Sequence, residues 1–190
     1  RARRRARDAR GMQKGKVLAY WAAMIDLKSY IRNVPDFPQP GILFRDISPL
    51  LRDAFGPTIE ALSALLDERE WRQVDAVAGV ESRGFILASA LALRHGKGFV
   101  LVRKKGKLPP PVVELAYGLE YGQGVLEMQA GSGRLLLVDD VLATGGTLTA
   151  SAALAELAGY SVLQSIVLVD LKLDPPFRWG RSPVRAALEY

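Results

Sequence analysis

The segment LLLVDDVLATGGTLTA, Leu135 to Ala150, constrains this chain more than any other. Leu135 to Val138 read as a buried strand. Asp139 and Asp140 follow, then a Gly- and Thr-rich turn, then an Ala/Leu helix from Thr147 to Leu157 ended by Gly159. A strand delivering two carboxylates into a turn that opens a helix belongs at the C-terminal edge of a parallel sheet, where open α/β folds place ligands. Ala143, Thr144, Gly145, Gly146 and Thr147 offer unhindered backbone N–H groups, two hydroxyls and the positive end of a helix, a set suited to a phosphate dianion. One helix terminus contributes only about 0.3–1 kcal/mol, so several donors must converge. Taken alone, the same residues also read as a capping turn with solvated acids.

Neither common nucleotide loop is present: no Lys follows the glycines, and there is no G-x-G-x-x-G. Adjacent acids ahead of a phosphate cradle fit the vicinal hydroxyls of a sugar, which points to a phosphorylated ribose.

The remaining pattern supports an α/β sheet. Asp26 can cap a helix over Leu27 to Val34, stopped by Pro35, and Val34 to Gly41 is a turn-rich connector. Pro57 and Thr58 open a second helix to about Glu70, with Ile59, Leu62, Leu65 and Leu66 on one stripe. Val74 to Val80 reads as a buried strand, Gly84 to Arg94 as an apolar helix ended by Gly96, and Phe99 to Val102 as another strand. Arg103 to Gly118 shows no regular period and reads as a long exposed loop, and Leu119 to Gln129 as a hairpin after it. Val162 to Val169 supplies one more strand. Strands alternating with helices predict parallel pairing with right-handed crossovers: an α/β open, mainly parallel twisted sheet flanked by helices.

Charge locates a tail. Residues 1–23 hold eight of the 26 basic residues and one of the 20 acids, so the net charge of +6 belongs to this segment and the rest is nearly balanced. It repels itself and lacks apolar periodicity before Val17, so disorder is expected. Met24 is expected to be the native start, leaving residues 24–190 as the folded domain. A transit peptide and a nucleic-acid-binding arm are the alternatives for the tail. The absence of cysteine removes disulfides, thiolate nucleophiles and Cys-based metal sites, and the single His95 argues against a His-rich metal site or a Ser-His-Asp triad. His95, at a helix end, is expected to sit at the surface against the dipole. The longest apolar stretch, Phe85 to Leu93, is about half the ~18 residues that a membrane span needs, so no membrane partner is expected, and a cytoplasmic setting is.

VDDVLATGGT resembles the phosphoribosyl-diphosphate (PRPP) binding motif of type I phosphoribosyltransferases. PDFPQPGILFRDISPLL (35–51), AGVESRGF (78–85), VRKKGKLP (102–109) and YGLEYG (117–122) resemble segments of the adenine phosphoribosyltransferase family in the same order, so that the likeness runs from Ile31 to Val169. It implies the type I phosphoribosyltransferase fold, with a small N-terminal hood and a flexible catalytic loop, and transfer of a 5-phosphoribosyl group from PRPP to adenine, with AMP and pyrophosphate as products. Asp139, Asp140 and Ala143 to Thr147 would bind PRPP. Hypoxanthine-guanine enzymes place an Asp where this chain has Ala143, so the resemblance points instead to Glu120, with Tyr121 beside it, as the acid/base group. By spacing alone Leu119 to Gly122 is an ordinary strand start.

The resemblance further assigns pyrophosphate to Glu81, Ser82, Arg83, Arg103, Lys104 and Lys107, with Mg²⁺ held mainly through PRPP and water, and counts Arg83 as catalytic. Glu81-Ser82 resembles the family's non-proline cis peptide. The basic loop Arg103 to Lys107, which alone could be a solvated loop, is implied to border a neighbouring subunit's site in a homodimer. Leu43 and Arg45 are implied to read the adenine edge, with Phe44 and Leu142 around it, although Phe44 alone reads equally as core. Pro109 to Pro111 and Val112 depart from the family, which carries a Thr near that point. A phosphoribosyltransferase for another purine is disfavoured by Ala143 and LEYG. A PRPP-sensing, DNA-binding regulator needs more than a 23-residue tail for its extra domain, and no nucleic-acid partner is expected.

Overall fold

A computed structural model of the chain describes residues 25–119, 122–173 and 176–190. The expectations for residues 1–23 and for Glu120 and Tyr121 lie outside these. Packing divides the chain into two units, one ending at Ala64 and one running from Leu65 to Tyr190.

In the first unit Asp26 accepts a bond from the Lys28 N–H at 3.1 Å, as a cap should, but the helix is a single 3-10 turn, Leu27–Tyr30. The predicted helix over Leu27 to Val34 is corrected there. Its second half is β1 (Arg32–Val34), antiparallel to β2 (Phe44–Asp46), with Val34 opposite Phe44. Pro35 forces its predecessor toward extended backbone, and pairing with β2 satisfies the strand that results. Asp46 ties this hairpin to the first α-helix. One oxygen pairs with Arg32 at 2.7 Å and the other accepts the Ser48 N–H at 2.9 Å, opening α1 (Ser48–Asp53). Next comes α2 (Phe55–Ser63).

The single helix expected up to Glu70 is also corrected: α2 stops at Ser63, and α3 (Glu68–Gln73) starts the second unit's helices. The break follows from Asp67, whose side chain accepts the Glu70 N–H while Glu70 accepts the Asp67 N–H, both at 2.8 Å, a reciprocal cap that begins a new helix. Glu70 also grips Arg185 at 2.6 Å.

The second unit's sheet comprises β3 (Ala76–Val80), β4 (Gly98–Lys104), β5 (Val113–Leu119), β6 (Gly122–Met128), β7 (Gly133–Leu142), β8 (Tyr160–Asp170) and β11 (Arg185–Glu189), in the order β11-β8-β7-β3-β4-β6-β5. The first five in that order pair in parallel, and β6 and β5 add an antiparallel end. A short β9 (Arg178–Trp179) and β10 (Ser182–Pro183) pair outside it. Alternation along β7 decides which helix covers which face. Leu135 and Leu137 join a core with Leu148, Ala152 and Leu154 of α5 (Gly146–Leu157), whereas Leu136 and Val138 turn to the other face, where α4 (Arg83–His95) packs on β3 and β7.

The predicted loop from Arg103 to Gly118 shrinks to 105–112, because β4 continues through Lys104 and β5 begins at Val113. The reason is a period-2 pattern: Val113, Leu115 and Tyr117 alternate onto the core while Glu114 stays out. The hairpin is therefore β5–β6, which begins six residues earlier than expected and ends at Met128. No helix among the described residues is long and apolar enough to cross a membrane.

His95 departs from its expected role. Its ring stacks on Trp71 of α3 at 3.5 Å, 8° from parallel. Burial, aided by Arg94 and Lys97, brings its pKa from 6.5 down to about 4, so it is neutral at pH 7 rather than a cation completing a dipole. Between pH 6.5 and about 4 only the unfolded chain takes up this proton, so the stabilisation present above 6.5 is lost as pH falls. Urea unfolding is expected to show lower stability at pH 5.5 than at pH 7.5, and a smaller difference in His95→Phe.

Candidate active site

Strand register assembles the site in the second unit. Ala76 pairs with Leu135 and Gly79 with Val138, so β3 and β7 end side by side, one running into Glu81-Ser82-Arg83 and the other carrying Asp139 and Asp140. Between them lies a cleft of about 350 Å³ lined by Glu81, Ser82, Arg83, Lys104, Tyr117, Leu126, Asp139, Asp140 and Thr147. A second cavity of about 100 Å³ adjoins it at Asp139 and Thr147, bounded by Leu142 and the turn Ala143 to Thr147. One hollow thus serves the turn and the other the two acids with the cationic side chains.

The turn has the geometry of an anion cradle. Gly145 sits at φ +81°, a left-handed conformation that side chains disfavour, and an added Cβ would come within 2.8 Å of the Phe177 ring. The first turn of α5 contains no acidic side chain, so its N–H groups and positive end remain available to an anion. Ala143, Thr144 and Gly146 are exposed, while Gly145 is buried.

Asp140 is buried and pairs with the Arg83 Nε at 2.7 Å, joining the two strand ends by charge. Asp139 accepts the Asp140 N–H at 2.8 Å. It keeps some exposure toward the cavities, yet burial of its carboxyl, then the neighbouring Asp140 charge, raises its pKa well above the usual carboxylate value. The acids therefore differ in character. Asp140 is ion-paired with Arg83, while burial and the Asp140 charge oppose ionisation of Asp139.

Glu81 and Ser82 are joined by a cis peptide bond. The Glu81 carboxylate accepts the Lys104 N–H at 2.9 Å and meets the Arg103 Nε at 3.3 Å, which anchors the basic segment beside the cleft. Burial opposes ionisation of Glu81, but the Lys104 and Arg103 bonds hold its carboxyl below the usual range. Of the basic residues expected at the pyrophosphate end, Arg83 and Lys104 line the cleft. Arg103 turns to Glu81 and over the Phe85 ring at 5.7 Å, and its guanidinium also donates to the Lys107 carbonyl at 3.2 Å. Lys107 is not a lining residue.

Leu43, Phe44 and Arg45 belong to the first unit. Leu43 is exposed, Phe44 meets the Phe37 ring edge-on at 5.1 Å, and Arg45 donates to the Asn33 side chain across the β1–β2 pair. Leu142 is buried beside the turn. The sequence reading did not include Tyr117, Leu126 or Phe177. The alternation through Val113, Leu115 and Tyr117 carried a signal for Tyr117, whereas Phe177 reaches the turn from a stretch with no pattern of its own.

Residues 51–179 match the phosphoribosyl transferase domain family. The chain is 53% identical over 165 residues to an adenine phosphoribosyltransferase of Hydrogenovibrio crunogenus, covering 86% of this chain and 96% of that one. A crystal structure of adenine phosphoribosyltransferase from Thermoanaerobacter pseudethanolicus is similar at TM-score 0.79 and 41% identity, over 87% of this chain and 98% of that one. The Saccharomyces cerevisiae enzyme, solved with an imino-altritol bisphosphate and adenine, is similar at TM-score 0.76 and 34% identity, over 90% and 99%.

The first turn of α4 lies close against the end of β7 because position 84 lacks a side chain: a Cβ there would lie 2.8 Å from the Val138 carbonyl oxygen and 3.1 Å from Asp139 Oδ1. Gly84→Ala is expected to push α4 off β7 and to cost roughly 1–3 kcal/mol, the range for overpacking, read as a lower urea midpoint.

Proposed function

The chain belongs to the phosphoribosyltransferase family and, within it, to the adenine phosphoribosyltransferases, and from this premise we infer the reaction that its site performs. It transfers the 5-phosphoribosyl group of PRPP to adenine, giving AMP and pyrophosphate, a purine-salvage reaction. The observation that carries this reading is the junction of the anion-suited turn 143–147 with a cleft that sets Asp139 and Asp140 opposite Arg83 and Lys104.

The parts divide the substrate by charge. The 5-phosphate suits the turn and the α5 N-terminus, and the ribose hydroxyls suit Asp139 and Asp140, one carboxyl ion-paired and the other inclined to hold a proton. The diphosphate suits Ser82, Arg83 and Lys104, with Arg103 and Lys107 on the adjoining loop. As the bond from the anomeric carbon to the diphosphate oxygen breaks, its electron pair leaves with pyrophosphate, and the cations stabilise the charge that gathers there. The adenine N9 then bonds to the anomeric carbon. Its proton passes to Glu120, the assigned base, with Tyr121 alongside. Leu43, Phe44, Arg45 and Leu142 are assigned to the adenine, which they would orient by main-chain bonds and apolar surface. Positioning and charge stabilisation supply most of the rate.

The donor set suits magnesium carried by the substrate. Glu81, Asp139 and Asp140 are hard oxygen donors, but Glu81 is engaged by the Arg103–Lys104 segment and Asp140 by Arg83, so the ion's other ligands would be diphosphate oxygens and water. When bound, it supplies further neutralisation of the leaving group. A homodimer is supported by apolar side chains exposed on α4 and β4, Ile86, Leu93 and Phe99. The cytoplasm is the setting expected for a reaction between a purine and a highly anionic sugar phosphate.

With PRPP and Mg²⁺ the full chain is expected to form AMP from adenine and nothing from hypoxanthine, guanine or xanthine. Product from an oxopurine would overturn the base assignment, and no product at all the reaction. Glu120→Gln is expected to lower turnover by about 10²–10³, the usual cost of one well-aimed catalytic group, with adenine binding retained. Near-normal turnover would remove Glu120 from the proton-transfer role.

A further inference from the structure

The basic segment Arg103 to Lys107 puts four cations in five residues, and its backbone folds around a carboxylate that no role above uses. Glu127, on β6 opposite Arg103 of β4, is only 2% exposed. Its Oε2 accepts the Gly106 N–H at 2.8 Å, and its Oε1 accepts both the Lys107 and Leu108 N–H groups at 2.6 Å. Gly106 lies at φ +80°, so the chain turns back at the point where these donors converge. Outside the turn, the Lys105 N–H reaches the Val125 carbonyl at 3.0 Å and the Lys105 ammonium pairs with Glu114 at 2.7 Å.

Three backbone donors on one carboxylate form a nest, the arrangement used elsewhere to bind an anion, here filled by the protein's own acid. Burial works against ionisation of Glu127, but the Gly106, Lys107 and Leu108 amides hold its carboxyl below the usual carboxylate range. Glu81 grips the same segment from the cleft side through the Lys104 N–H and the Arg103 guanidinium. The two carboxylates thus secure opposite ends of one turn. Lys104, which lines the cleft, belongs to the end that Glu81 holds.

We propose that Glu127 is a positioning residue for the diphosphate end of the reaction: by capping the amides of residues 106–108 it fixes the basic turn so that its cations meet the anion without an ordering cost. The proposal rests on the reading of the cleft as a PRPP site. Ordering four mutually repelling side chains at the moment of binding would weaken affinity, and a pre-folded turn avoids that loss. Glu127 touches no substrate. Its effect passes through Arg103, Lys104 and Lys107.

Glu127→Gln keeps the shape and one acceptor oxygen but turns an amide N–H₂ toward a backbone donor. In this variant the affinity for inorganic pyrophosphate with Mg²⁺, measured by titration calorimetry without adenine, is expected to fall about tenfold or more, the loss of one charge-assisted bond. The KM for PRPP should rise in parallel while that for adenine stays within about twofold, because only one end of the site is loosened. Hydrogen exchange should quicken at the amides of 106–108 and not in β7. Glu114→Gln, which alters the exposed Lys105 pair, should leave all three readouts at wild-type values. Unchanged pyrophosphate affinity in Glu127→Gln, or equal rises in both KM values together with a general loss of thermal stability, would overturn the proposal. The calorimetry needs no turnover, so a wild-type chain that binds pyrophosphate but makes no AMP would sink the reaction assignment while leaving the role of Glu127 decided by its own comparison.

Discussion

Parallel pairing of β3 with β7 is the constraint on which the other features of the site depend. The register from Ala76 against Leu135 to Gly79 against Val138 makes both strands end at one edge, so the residues just beyond each strand must share one space. Arg83 then falls within 2.7 Å of Asp140. Gly84 allows the approach, since any larger residue would press on the Val138 carbonyl and the Asp139 side chain. The strands are buried on both faces, which makes a one-residue slip prohibitive, because every side chain would exchange faces. The distance between the acids and the cations is therefore inherited from the core.

Charge is organised on this frame by satisfying backbone groups before side chains. Glu81 and Glu127 accept N–H groups from the basic segment and hold its course, and Arg83 is set against Asp140. Asp139 is the exception. Burial and its neighbour's charge oppose its ionisation, an arrangement unfavourable for stability and of the kind that clusters at functional sites. The same separation of roles is visible at α5, whose N-terminus carries no acid to neutralise it and so remains suited to phosphate.

Much of this was legible in the chain. LLLVDDVLATGGT declares a strand, two acids and a helix start within thirteen residues, and local chemistry is enough to read it. Other features needed neighbours. Asn33 and Val34 look helical by spacing and become a strand because Phe44 and Arg45 pair with them. The split between α2 and α3 was available in Asp67 and Glu70, whose reciprocal cap outweighs the continuing apolar stripe. Val113, Leu115 and Tyr117 carried a strand period beneath the charge and proline that precede them. His95 could not be placed at all without Trp71, since only packing gives it a stacked face and a lowered pKa.

The order of residues along the chain is enough to set the central run of strands and helices, the phosphate-suited turn and the two acids ahead of it, because these follow from periodicity, capping and residue chemistry over short spans. Which of those groups meet was a matter for the folded chain. Glu127 reaches across about twenty positions to three amides, Tyr117 enters the cleft from the antiparallel end of the sheet, and Phe177 closes on Gly145 from a stretch without a pattern. Contacts of that kind depend on strand register and helix approach, which are set by the packing of the whole core and leave no local trace in the chain.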